Sequence, residues 1–144
     1  MPCPYFEPQQ VLRDGQDIRG RLPLFDEYGG QCHARGPAQP VPSSALRFFG
    51  CNHGHPDSGC TAFPSGESRR HRRFHMGKKT EGDGSTLEVL VLEIEGHIPI
   101  RSYSVLYSKA DEHLEPEMRE ECERAQVLAF CRSYLRRFPH PVDF

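Results

Sequence analysis

Proline and glycine crowd the first half of this chain: nine of its thirteen prolines and nine of its thirteen glycines lie between residue 1 and about residue 66. Pro37, Pro40 and Pro42 fall within six residues, which forbids a helix there and argues against a central strand. A segment that poor in regular structure needs something to fold around. The same segment carries four of the six cysteines, Cys3, Cys32, Cys51 and Cys60, with His33, His53 and His55 among them. Thiolates converging on one inorganic centre would supply the missing nucleus.

At 144 residues the chain is long enough for one domain with a modest core and too short for two. We therefore expect a single domain over 1–144, with a cysteine-bearing loop region at 1–66 and a sheet plus helix at 67–144. A net charge of −2 gives no global attraction to nucleic acid or anionic lipid. There is no apolar run of the roughly 18 residues that a membrane span needs. Met1-Pro2-Cys3-Pro4-Tyr5-Phe6 lacks a basic region followed by an apolar stretch, so the expected compartment is the cytoplasm. There, clustered cysteines bind metal or do redox chemistry more often than they form structural disulfides.

Short apolar groups recur in the first half: Tyr5-Phe6, Val11-Leu12, Leu22, Leu24-Phe25, and Leu46 with Phe48-Phe49. They read as anchors pinning irregular backbone to a core, and their aromatics argue against a disordered tail. From Arg69 the pattern changes. Phe74 to Met76 suits a short strand, and Leu87 to Ile94 is the clearest strand, apolar on both faces as a central strand would be. Glu95-Gly96-His97 offers a turn, so a hairpin is expected over about 86–107. One long C-terminal helix is expected over about 115–137. Pro116 would sit in its first turn, Glu115, Glu117, Glu120 and Glu121 at its positive end, and Arg132, Arg136 and Arg137 at its negative end. Met118, Cys122, Ala125, Leu128 and Leu135 approximate one apolar stripe. The expected class is α+β.

The cysteine spacings, Cys3-x28-Cys32-x18-Cys51-x8-Cys60, contain no Cys-x2–4-Cys knuckle of the kind zinc ribbons use. Four well-separated thiolates from loops suit a cubane [4Fe–4S] iron–sulfur cluster, which is larger than a single ion, and proline and aromatics beside Cys3 and Cys60 would shield it. Zinc is the alternative metal, and disulfides or free thiols the remainder. Cys51-Asn52-His53-Gly54-His55 has half of a Rieske ligand pattern, but Phe63 stands where the second histidine should be, so a Rieske centre is rejected. His53 or His55 still suits a mixed zinc site with Cys51 and Cys60; each histidine is otherwise a polar loop residue. Cys122 and Cys131, nine residues apart, fall on opposite sides of a helix and read as buried structural thiols.

Met1-Pro2-Cys3-Pro4-Tyr5-Phe6-Glu7-Pro8, Leu22-Pro23-Leu24 leading to Tyr28-Gly29-Gly30-Gln31-Cys32, and Cys51-Asn52-x-Gly54 leading to Cys60-x-x-Phe63-Pro64 resemble a family of small uncharacterised bacterial proteins. Its members open on Cys-Pro-aromatic and carry four cysteines in this order. The likeness covers about residues 1–64 and implies that Cys3, Cys32, Cys51 and Cys60 act as a set, around a metal or iron–sulfur centre. It brings no established activity. His53-Gly54-His55 departs from the family, where an aromatic and small residues are expected.

Arg69 to Lys79 holds six Arg or Lys residues in eleven, with Phe74 between them. Such a run can grip phosphates and stack on a base, but the chain is slightly acidic and no nucleic-acid motif is present. A solvated strand explains the run, and an acidic protein partner would fit it. Enzyme signatures are missing: Gly82-Asp83-Gly84 lacks the following helix of a phosphate loop, and neither Gly-x-Ser-x-Gly nor His-Glu-x-x-His occurs. Glu93 and Glu95 share one side of the strand and read as edge-facing charge before an acid–base pair. Three functions follow, in order: a small iron–sulfur protein with an electron-transfer, redox-sensing or structural role; a zinc-stabilised module presenting residues 69–79 to a protein or nucleic acid; and a thiol-based enzyme.

Overall fold

Leu87, Val89 and Val91 recur at every second position, which places them on one face of a strand. They build β5 (Thr86–Glu95), flanked by β4 (Arg70–Lys79) and β6 (Ile98–Ser108), with the short β7 (His113–Glu115) beyond β6, all antiparallel. The computed structural model describes residues 1–15, 22–34, 36–54, 60, 70–79, 86–95 and 98–137. The expected hairpin is present, with Val89 opposite Val105. β5 is central, as expected, but its burial is one-sided: Leu87, Val89 and Val91 are sealed while Leu90 is 44% exposed. A helix covers one face only, so the apolar residues of the other face stay near solvent.

The Pro/Gly-rich half carries a second antiparallel sheet within its loops, in the order β1 (Phe6–Arg13), β2 (Glu27–Cys32), β3 (Gln39–Pro40). Pro8 sits on the edge strand β1 where the register shifts, the position a proline tolerates in a sheet. After β3, a single α-helical turn, α1 (Ser44–Leu46), is capped by the Ser43 hydroxyl accepting from the Leu46 N–H, and it runs into a π-helical turn over Arg47–Asn52. Of the expected anchors, Phe6, Leu22 and Leu24 are buried; Val11, Leu12 and Phe49 lie at the surface.

The C-terminal helix, α2, spans Glu121–Arg137, starting six residues later than the acidic cluster suggests. Glu115 closes β7 opposite Leu106, and a residue before proline is driven to extended backbone, so Pro116 terminates the strand and does not open the helix. Glu120 is the cap: its carboxylate accepts from the N–H groups of Cys122 and Glu123. The buried surface of α2 is also broader than one stripe, taking in Cys122, Gln126, Val127, Ala129, Phe130, Cys131, Ser133 and Tyr134. α2 is therefore a wall between two sheets. On one side the Tyr28 hydroxyl of β2 donates to the Ala129 carbonyl (2.9 Å) and meets the Ser133 hydroxyl. On the other, Phe74 of β4 lies 5.8 Å from Phe130, ring to ring. One buried cluster draws on both sheets and the helix.

Glu93 is not edge-facing. It is 2% exposed, on the helix-facing side of β5, where Arg101 donates to it (2.8 Å) and Arg72 stands 3.7 Å away. Arg72 also reaches Glu123 of α2 at 3.3 Å. Burial, ahead of the charges around it, pushes the Glu123 carboxyl up. Among the described residues, no helix is long and apolar enough to cross a membrane.

Candidate metal centre

Cys3, Cys32 and Cys51 are held by backbone that neighbouring elements fix. Cys3 opens a tight turn whose carbonyl accepts from the Phe6 N–H (3.0 Å), while its own N–H donates to the carbonyl of Cys51 (2.9 Å). Cys32 ends β2 directly opposite Phe6. The next N–H, of His33, donates to the Tyr5 carbonyl at 2.8 Å. Cys51 lies inside the π-helical turn, and Cys60 is half-buried.

Two buried amides clamp this arrangement. Asn52, 1% exposed, accepts from the Tyr28 N–H (2.8 Å) and donates to the carbonyls of Tyr28 (3.0 Å) and Arg47 (2.9 Å), tying the π-helical turn to β2. Gln126 of α2, also 1% exposed, donates to the carbonyls of Cys3 and Phe6, each at 2.8 Å. Leaving a buried amide such as Asn52 or Gln126 without these partners costs about 1–3 kcal/mol for each bond lost. Gly54 has φ +79, and a Cβ there would collide with the Met1 carbonyl oxygen, so only glycine lets the chain after Cys51 pass beside the N-terminus.

The thiols share one electrostatic neighbourhood. Burial, first of all causes, pushes Cys3 up from 9.0 to about 12, and Cys32 and Cys60 push in the same direction. Burial likewise moves Cys51 to about 12, reinforced by Cys3, Cys32 and Cys60 together. A thiolate formed at Cys51 is opposed by charge on Cys3, Cys32 and Cys60, which is the condition a soft cation or a cationic cluster relieves. All six cysteines are free thiols in the structure. Cys122 and Cys131 are buried on α2 and burial pushes both up to about 12; Cys122 also feels Glu120, Glu7, Glu121 and Cys3. The two are buried from opposite sides because the helix has a sheet on each.

The histidines separate. The His53 ring packs edge-on to Phe48 (4.9 Å between centroids) and stacks on Phe49 (6.5 Å). His55 lies outside the described residues. His33, which the sequence marks only as one histidine of the loop region, faces two carboxylates. Its Nε2 is 2.6 Å from Glu7 Oε1 and its Nδ1 is 4.0 Å from Glu121 Oε2. Glu7 and Glu121 carry no sequence signal of a site, because they come from β1 and α2 and meet only through the fold.

Of the basic stretch, β4 turns Arg72 and Phe74 inward and leaves Arg73 and His75 exposed. No family model, no curated protein and no solved structure matches this chain.

Proposed function

We propose that this protein binds an iron–sulfur cluster, [4Fe–4S], through Cys3, Cys32, Cys51 and Cys60, and works in the cytoplasm in electron transfer, redox sensing or as a cluster-stabilised scaffold for a redox or acidic protein partner. The observation that carries the reading is that Cys51 lies within electrostatic reach of Cys3, Cys32 and Cys60, while Asn52 and Gln126 fix the backbone beside Cys51 and at Cys3. Thiolates that destabilise one another while buried bind a compensating positive centre with release of protons. When bound, such a cluster supplies one-electron chemistry. The chain's own part is to fix Cys3 and Cys51 on clamped turns and to keep water from Cys51, which is 8% exposed.

Size favours a cluster over one zinc ion. Zinc–sulfur bonds of about 2.3 Å in a tetrahedron draw the sulfurs to about 3.8 Å of one another. A cubane holds its four sulfurs further apart, which suits thiols drawn from four separated segments of the chain. A thiol-based enzyme would need a depressed thiol pKa, and burial moves Cys3 and Cys51 the other way. In the zinc-module reading, the basic stretch has already committed Arg72 to Glu93 and Glu123 within the fold.

The test is iron, acid-labile sulfide and zinc per chain on protein purified without oxygen. The proposal expects iron and sulfide in near-equal amounts, about four each. About one zinc without iron would replace it with a structural zinc site, and neither metal would remove it.

A further inference from the structure

The geometry points to a second, independent metal site: Glu7, His33 and Glu121 together bind one divalent cation of the manganese–iron–zinc series at the junction of β1, β2 and α2. One ring nitrogen of His33 and one carboxylate oxygen from each glutamate lie within 4.8 Å of one another, close enough for one ion to touch all three. The three ligands come from separate, anchored elements. Glu7 is paired with Gln31 in the β1–β2 ladder, His33 is held by its backbone bond to Tyr5, and Glu121 is the first residue of α2. The side chains of Glu7 and His33 are only 18% and 20% exposed, so neither has to be drawn in from solvent.

The ligand chemistry is specific enough to name a class. One imidazole with two carboxylates is too hard a set for a thiophilic ion and too nitrogen-rich for calcium; it suits borderline first-row divalent ions. Glu7 and Glu121 also line an open groove of about 330 Å³, from which water or a small oxygen ligand can complete the coordination shell. This site does not depend on what the four cysteines hold.

The probe is Mn²⁺, which prefers oxygen and nitrogen donors and leaves thiolates to softer metals. It is titrated into the purified full-length chain while the free-ion electron paramagnetic resonance signal is followed. We expect one Mn²⁺ taken up per chain. Glu121→Gln and His33→Gln should each weaken that uptake by at least about tenfold, the low end of what losing even an outer-shell partner costs. Glu88→Gln, a carboxylate on β5 far along the chain, should leave it unchanged. Glu121 is 57% exposed on its side chain, so its substitution does not threaten the fold. No uptake at millimolar Mn²⁺, or uptake by both site variants equal to that of the parent chain, overturns the proposal.

Discussion

In the four-stranded sheet, Leu87, Val89, Val91 and Val105 are all fully buried against α2 and its surroundings, with Glu93, Arg101 and Arg72 as an ion cluster beside them. In the three-stranded sheet, β2 runs through Gly29 and Gly30, and its place is set by Asn52, by the Tyr28 hydroxyl on α2, and by Glu27 with Arg13 (3.1 Å) and Arg47 (3.5 Å). The first sheet draws on apolar area, at roughly 1.5–3 kcal/mol for each large side chain sealed from water. The second draws on buried hydrogen bonds, which contribute about 1 kcal/mol each when made and cost more when broken. A region held in the second way is specified tightly and stabilised weakly. Such a region gains most from a bound ion or cluster.

The comparison breaks most visibly at the cysteines. Replacing Cys3, Cys32, Cys51 or Cys60 singly by serine should abolish iron retention and bleach the protein, while far-ultraviolet circular dichroism keeps the helix and four-stranded sheet. A variant that keeps full colour removes that residue from the ligand set. Next in size, Leu87→Ala should cost about 2–5 kcal/mol in urea unfolding, with or without metal, because it opens a cavity under a fully buried side chain.

Asn52→Ala should cost less, about 1–3 kcal/mol for the Tyr28 groups it strands. Its loss should be larger in metal-loaded protein, since it also loosens the turn carrying Cys51; equal losses in both forms would separate the clamp from the metal site.

Alkali sharpens the contrast further. The folded Cys3 and Cys51 thiols titrate at about 12 against an ordinary 9.0. Their contribution to stability is therefore complete below pH 9 and lost as pH rises from 9 towards 12. The urea midpoint of metal-free protein should fall over that window, and loading should remove the thiol share of the fall because ligated sulfurs no longer titrate. Smallest of all, Leu90→Ser on the open face of β5 should stay within about 0.5 kcal/mol of the parent chain.

What was legible in the residues follows the same division. The β5–β6 hairpin is written in its own alternation and needs no other part of the chain. α2 is legible in its body and its basic end. Its start is hidden, because Glu115, Pro116 and Glu117 imitate a helix N-terminus while Glu115 is claimed by pairing with Leu106. The three-stranded sheet is not legible in advance, since Pro8, Gly29 and Gly30 are poor strand formers. At Gly30 a side chain would strike the Glu7 carbonyl, so the residue that weakens the strand signal is the one that lets β1 come close. The cysteines announce themselves by type. Glu7, His33 and Glu121 do not, since only the third dimension brings them together.

Gln126 grips the carbonyl of Cys3 across 123 positions of sequence. On a ribosome, Cys3 emerges 123 residues before Gln126, so the turn that presents Cys3 cannot be locked until α2 has been made. The order of manufacture thus makes α2 the latch of the Cys3 turn, closed only after the strands of both sheets have been made.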